Sequence, residues 1–217
     1  MSAVALLSKL DPWLYRYPFE GASARRYAQL ERCGFGDLDR RLIDTWDAEL
    51  SRARRFVDIG CGPGELTARI ARRYPALEVL GVEPSRDYTA AAAGFCVVRA
   101  RAESLPLADR SVDVAVMLSS IRHVRDRARS FAELRRVLRN DGVAYVIEID
   151  PGAGSVRARQ HARRLRSRWS RLTFAALVMR TAPRVQRIEA LARNAGFGQV
   201  RWHADAQQPV YVMRLRP

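Results

Sequence analysis

Short apolar runs alternate with amphipathic stretches through most of this chain. The run that ends at Ile59 predicts a strand, and the segment opening at Glu65 predicts an amphipathic helix. Glu78 to Val82 reads as a short buried strand closed by an acid, Glu83, and Val112 to Leu118 reads as another. Phe131, Leu134, Val137 and Leu138 share one face of a helix predicted to end near Gly142, after which Val143 to Ile149 forms a further strand. Strands and helices in alternation argue for a mostly parallel sheet covered on both faces. With 217 residues and no internal repeat, the chain reads as one α/β domain that buries roughly 70% of its unfolded surface.

The joint between the first strand and its helix carries the chemistry. It reads Val57-Asp58-Ile59-Gly60-Cys61-Gly62-Pro63-Gly64-Glu65. Glycines at alternate positions let a backbone turn tightly and lie directly against a ligand. A dinucleotide loop counted from Gly60 needs glycine at position 65, where Glu65 would set a carboxylate against a pyrophosphate. The phosphate loop of nucleotide triphosphatases is excluded as well, because no Gly-Lys-Ser/Thr follows. A nucleotide without phosphates fits better. Glu83, 19 residues after Gly64, ends the second strand where a carboxylate can accept both hydrogen bonds of a ribose diol.

Further along come Arg101-Ala102-Glu103-Ser104-Leu105-Pro106, His123 after the fourth strand, and the turn at Gly142. In this order the loop, Glu83, the Ala-Glu pair and His123 resemble the class I S-adenosylmethionine-dependent methyltransferases that act on small molecules. The resemblance is close over residues 55 to 150 and weaker at Ile188 to Phe197, which looks like the late helix and glycine turn before a final hairpin. It implies a doubly wound seven-stranded sheet with helices on both faces and the last strand antiparallel. It also implies S-adenosyl-L-methionine as cofactor, with Gly60, Cys61 and Gly62 lining its methionine part, Glu83 on the ribose, Pro84 on the adenine, and Ala102 and Glu103 at the adenine edge. Asp58, Leu118, Tyr15 and Tyr17 complete the implied set, the tyrosines by closing over the site from the N-terminal arm; the alternative for them is an aromatic cluster that packs the arm onto the core. Arg101 stands where the family commonly has Asp, and Asn140-Asp141-Gly142 replaces its Pro-Gly-Gly turn.

On this reading residues 1 to 50 form an arm, 51 to 150 the cofactor-binding core, 151 to 183 an Arg-rich substrate cover, and 184 to 217 a terminal helix and hairpin. His123 is the best candidate for a general base, because it sits at a strand's carboxyl end and a free imidazole titrates near neutrality. The alternative is that it orients the loop or contacts the cofactor. Glu148 and Asp150 are weaker candidates, and His161 and His203 read as surface or packing residues.

Charge changes the picture little. The net charge is +15, but Lys9 is the single lysine among 38 basic residues, a bias closer to codon usage than to selection for a phosphate groove. Nucleic acid is therefore not the expected substrate. Leu118-Ser119-Ser120-Ile121 also stands where nucleic-acid amino-methylases carry an Asn/Asp-Pro-Pro-aromatic run. One cluster is local: Arg157, Arg159, Arg163, Arg164, Arg166, Arg168 and Arg171 surround Leu165, Trp169 and Leu172 at helical spacing. Such a helix can cover the core, line a pocket for an acidic small molecule or touch an anionic membrane surface. Cys33, Cys61 and Cys96 lack a metal or disulfide spacing, with Cys33 and Cys96 expected in or near the core. No run has the apolar length of a membrane span, and a cytoplasmic protein without a metal is expected.

Overall fold

Neighbouring residues on the central strands take opposite faces, and both faces are buried. On the fourth strand Val114, Val116 and Leu118 enter one core while Ala115 and Met117 enter the other. The fifth repeats this with Tyr145 and Ile147 against Ala144 and Val146. That is why these strands read as continuous apolar runs instead of alternating ones.

The computed structural model describes residues 20–21, 24, 35–164, 179 and 182–217. Tyr15, Tyr17, Cys33, and the stretch from Leu165 to Leu172 with Arg166, Arg168, Trp169 and Arg171 lie outside the described residues. Helices α1 (Leu38–Thr45) and α2 (Asp47–Leu50) lead into β1 (Arg55–Ile59), α3 (Glu65–Arg73), β2 (Glu78–Val82), α4 (Arg86–Ala91) and β3 (Cys96–Val98). Then follow β4 (Val112–Leu118), α5 (Arg127–Val137), β5 (Leu138–Ile149), α6 (Ser155–Arg164), α7 (Val185–Asn194), β6 (Gln199–Ala204) and β7 (Val210–Arg216). The seven strands lie in the order β3-β2-β1-β4-β5-β7-β6. The last strand, β7, runs antiparallel to both β5 and β6. From β1 the chain winds outward to β3 and then returns to place β4 on the other side of β1. This reversal opens a crevice at the carboxyl ends of β1 and β4, where ligands of such sheets bind.

Two sequence expectations shift. The segment before β1 is more than an arm: Leu38, Leu42, Trp46 and Leu50 are buried in the core, and Trp46 stacks on Tyr145 with ring centroids 4.6 Å apart. Cys96, expected in or near the core, is exposed.

Gly142 departs from expectation as well. Helix α5 stops at Val137, and Leu138 already pairs with Val112. Pairing then changes register before resuming at Val114 and Val143, so Arg139 to Gly142 lie within β5 instead of forming a turn ahead of it. Nor does Gly142 have a positive φ. It is glycine for lack of space: a Cβ would stand 2.6 Å from Leu138 Cδ2 and 3.1 Å from the carbonyl oxygens of Arg139 and Asp113. Gly142→Ala should therefore cost about 1–3 kcal/mol through overpacking, read as a lower urea midpoint with an unchanged slope. A midpoint within error of the parent's would show that the register shift relaxes freely.

Candidate functional site

The glycine loop fills the turn from β1 to α3. Gly60, Gly62 and Gly64 all lie in the left-handed region, with φ of 75°, 54° and 79°. Their surroundings differ. A Cβ on Gly60 would stand 2.5 Å from Ser120 Cβ, and one on Gly64 would stand 2.2 Å from the Phe95 ring. Both positions are closed by packing. At Gly62 no atom of the described residues lies within 4 Å of such a Cβ, so among them this residue leaves its backbone bare. The Gly60 and Cys61 N–H groups donate to Val82 O at 2.7 and 3.2 Å, which ties the loop to the end of β2. Beneath it, Thr67 Oγ1 donates to the buried Asp58 Oδ2 at 2.7 Å and pins α3 to β1.

Glu83 faces the loop from β2. The Gly62 N–H donates to its Oε2 at 2.9 Å and the Ser85 N–H to its Oε1 at 2.8 Å. Only 5% of the residue is exposed. Burial pushes its carboxyl above the usual carboxylate range, and the two backbone donors offset only part of that rise. Each oxygen has a lone pair to spare for a further donor. The cleft around it, about 710 Å³ counted to open solvent, is walled by Ile59, Pro84, Ala100, Ala102 and Leu118 among others, with no lysine or arginine among the described residues that line it. Such a wall offers a phosphate no countercharge. A nucleoside with an uncharged or cationic tail suits it, which fits the donor set S-adenosylmethionine requires.

Beyond β4 the wall continues through Ser119, Ser120 and His123. Ser120 Oγ donates to Ile59 O at 2.8 Å, joining the ends of β1 and β4. His123 is pushed down to about 3 by burial, aided by the positive charges of Arg122 and Arg127. The ring is therefore neutral at physiological pH and a poor proton acceptor, contrary to the expectation that it titrates near neutrality. Arg122 is itself held by Glu148, whose Oε1 lies 3.1 Å from the Arg122 Nε and is fully buried.

Of the residues singled out in the sequence, Gly60, Cys61, Gly62, Glu83, Pro84, Ala102, Leu118 and His123 come together around this cleft. Asp58 and Glu103 are not in its lining. Asp58 holds Thr67, and Glu103 Oε1 accepts from the Arg125 and Asp126 N–H groups at 3.0 and 3.3 Å, fastening the loop that leads into α5. Phe35, Tyr88, Ser119 and Ser120 also line the cleft and were not singled out. Ser119 and Ser120 had a signal, their place directly after a predicted strand in a doubly wound sheet. Phe35 had none, since only tertiary folding carries it there.

Helix α6 reaches the cleft wall at Phe35. His161, expected at the surface or in packing, is buried: its Nδ1 lies 3.0 Å from Gln208 Oε1 and its ring meets Phe35 edge-on. Arg157 donates to Asp205 O at 2.7 Å, while Arg159, Arg163 and Arg164 are exposed. His203 lies exposed on β6.

Residues 57–146 match the family model described as a methyltransferase domain. The ubiquinone/menaquinone biosynthesis C-methyltransferase UbiE of Syntrophotalea carbinolica is 34% identical over 135 residues, 58% of this chain and 57% of that protein. An uncharacterized methyltransferase of Mycobacterium sp. (strain JLS) is 36% identical over 161 residues, 69% of this chain and 62% of that protein. The chain thus spans about three fifths of the length of these curated relatives. Among solved structures, the plantazolicin methyltransferase BamL, in complex with a triazolic desmethylPZN analog and SAH, superposes with a TM-score of 0.74 at 12% identity, covering 98% of this chain and 96% of that one. On this sheet order, the matched residues 57–146 are a class I S-adenosylmethionine-dependent methyltransferase domain.

Proposed function

We propose that this protein transfers a methyl group from S-adenosylmethionine to a small organic acceptor. The observation that carries this reading is the buried Glu83 carboxylate, bridged to Gly62 and Ser85 inside a cleft whose described lining residues include no lysine or arginine. The cofactor supplies a methyl already activated by its sulfonium. The protein's task is then to hold an acceptor in line and exclude water. Gly62 presents backbone, Glu83 holds the ribose diol, and Leu118, Pro84 and Ala102 give the base and thioether an apolar seat.

His123 serves as a neutral contact that shapes the acceptor end, because its ring cannot take a proton near pH 7. That favours acceptors needing little help with deprotonation, such as a stabilised carbanion, a thiol or an amine. Likeness to a quinone-biosynthesis C-methyltransferase favours an electron-rich ring carbon among these. The exposed arginines of α6 favour an acceptor that carries negative charge. Incubation with methyl-labelled cofactor and host extract, followed by mass identification of the labelled product, tests the acceptor class directly.

Ligand choice is the first expected outcome. S-adenosylhomocysteine at a hundredfold excess over its dissociation constant should stabilise the protein by about 2.7 kcal/mol, a thermal shift of about 5–10 °C for a domain of this size. NADH should give none. A flat melt with the homocysteine product, or a shift with NADH alone, would sink the assignment.

Glu83→Ala should weaken S-adenosylhomocysteine by about ten- to a hundredfold, the loss of charge-assisted hydrogen bonds worth about 1.5–3 kcal/mol. The pH dependence has a definite sign. With its pKa raised in the free protein, Glu83 protonates above the ordinary value of about 4.3. It then loses acceptor capacity, so affinity should fall as pH drops through that raised value. The free fold should move the other way and lose stability as pH rises through the same value, because ionising the buried group is what burial opposes. Calorimetry across this range, with Glu83→Gln as the flat control, decides the matter. An unchanged affinity in a well-folded Glu83→Ala variant would mean that another acid reads the ribose.

For His123 the expectation is an absence of titration. His123→Asn should leave the shape of the pH–rate profile unaltered around neutrality while changing the acceptor's KM. Loss of a limb near pH 6.5, the free imidazole value, would restore the general-base role.

A further inference from the structure

Glu148 is the most deeply buried acid among the described residues, and methyl transfer as set out above makes no use of it. It stands near the carboxyl end of β5, directly across the ladder from Tyr211. That neighbour does not engage it: the Tyr211 hydroxyl is buried without a hydrogen-bond partner among the described residues. The carboxylate turns instead to Arg122. Its Oε2 accepts from the Arg122 N–H at 3.3 Å, and its Oε1 accepts from the Arg122 Nε–H at 3.1 Å and from the Ile149 N–H at 2.8 Å.

Arg122 is the middle residue of a short helical turn, Ile121–His123. Arg127 holds the other side of that turn, donating from Nε to Ile121 O and from Nη2 to Arg122 O, both at 3.0 Å. Arg122 is thus gripped at its N–H, its carbonyl and its side chain. A turn of this kind already closes through its own backbone bond, here from the His123 N–H to Ser120 O at 3.0 Å. Burying an ion pair to reinforce it is costly, because both charges leave water. What the reinforcement fixes is the next residue, His123, which is half-buried and lines the cleft.

We propose that Glu148 is a positioning residue: acting through Arg122, it holds His123 against the cleft wall and so sets the place offered to the acceptor. Glu148 itself touches no ligand. The inference rests on the reading of His123 as a contact at the acceptor end.

Two variants separate positioning from folding. Glu148→Gln keeps the shape but brings a single amide oxygen to three N–H donors. An oxygen kept at the Oε1 place preserves two of the bonds and sets the amide NH2 against the Arg122 N–H, so the turn is what comes loose. The double variant Arg122→Leu/Glu148→Leu removes both charges. Replacing a buried pair by apolar residues is often neutral or stabilising, so this protein should melt no more than a few degrees below the parent.

The first readout is the ring signal of His123 in protein carrying isotope-labelled histidine, identified by its absence in His123→Asn. In the parent, burial above all, then the charges of Arg122 and Arg127, holds the ring neutral down to about 3. Behind them, Arg187, Glu148 and Tyr211 surround Arg127. In both variants the ring should leave the wall and titrate near the free value of about 6.5. Loss of the Arg122 charge alone would leave burial in place, and Glu148→Gln keeps that charge. The second readout is labelling of host extract with methyl-labelled cofactor. The amount of extract that gives half-maximal labelling should rise about three- to tenfold, the span of one lost contact of hydrogen-bond strength, with a plateau near the parent's. Affinity for S-adenosylhomocysteine should stay within about twofold, as for sites that share no partner. A His123 ring that stays neutral to about pH 5 in both variants, an unmoved half-maximal amount, or a lower plateau without such a move would each overturn the proposal. Failure of the parent to bind S-adenosylhomocysteine would strike at the cofactor reading and overturn the acceptor role with it, whereas the histidine titration tests the hold of Glu148 on His123 whether or not that reading stands.

Discussion

A single buried carboxylate joins the two halves of the cleft. Glu83 accepts one hydrogen bond from the glycine loop and one from the start of α4, so the loop after β1 and the turn after β2 are set relative to each other through its two oxygens. Much else follows from that placement. Ser85, held by its N–H, caps α4 by accepting from the Tyr88 N–H at 3.3 Å, and Tyr88 then lines the cleft while its hydroxyl donates to the carbonyl of the buried Ala24. The raised pKa records what this costs: a carboxylate taken out of water recovers only part of its solvation from two amides. On the proposed reading, a ribose diol would supply the missing donors. The loop and the acid are thus parts of one polar unit that a ligand completes.

Arginine, whose abundance looked like a surface property, is also a carbonyl clamp. Arg136 donates to Leu105 O and Leu107 O as well as to Glu133 and Asp109. Arg127 reaches Ile121 O and Arg122 O, and Arg99 reaches Pro84 O. Each binds an irregular segment whose carbonyls have no ladder partner, and two of the three segments border the cleft. The planar fork of a guanidinium can serve two such acceptors in fixed geometry, which a lysine ammonium does not. The composition therefore has a structural consequence whatever its genomic origin, and nucleic acid is not needed to explain it.

The periodicity of the apolar runs made the sheet legible, because strands buried on both faces leave few other readings. The glycines were legible because a tight turn with positive φ restricts residue type, and Glu83 because it closes a buried strand that ends beside them. Gly142 was misread as a turn residue since the sequence does not distinguish a glycine needed for φ from one needed for space. Leu138 was assigned to the helix because its 3.6-residue spacing continues the apolar face, and pairing with Val112 overrides that local pattern. Glu103 illustrates a third limit. A carboxylate beside a cofactor edge and one that ties down a neighbouring loop look alike in sequence, and only the fold brings the Arg125 and Asp126 amides to it.

The region around Asp205 is built by different means from the glycine-loop side of the cleft. Around the loop, backbone geometry does most of the work. At the other end, Asp205 gathers elements distant in sequence: Arg41 of α1 reaches its carboxylate at 2.7 and 3.2 Å, the Gln207 and Gln208 N–H groups donate to Oδ1, and Arg157 of α6 takes its carbonyl. Gln208, so placed, holds His161, and His161 meets Phe35 at the cleft wall. Helix α6 is thereby coupled to the cleft through side chains, while the glycine loop rests on the sheet itself. Side-chain contacts can be exchanged without disturbing strand order. A fold built this way can alter α6 and the residues around Asp205 while leaving the loop, Glu83 and the β4 terminus untouched.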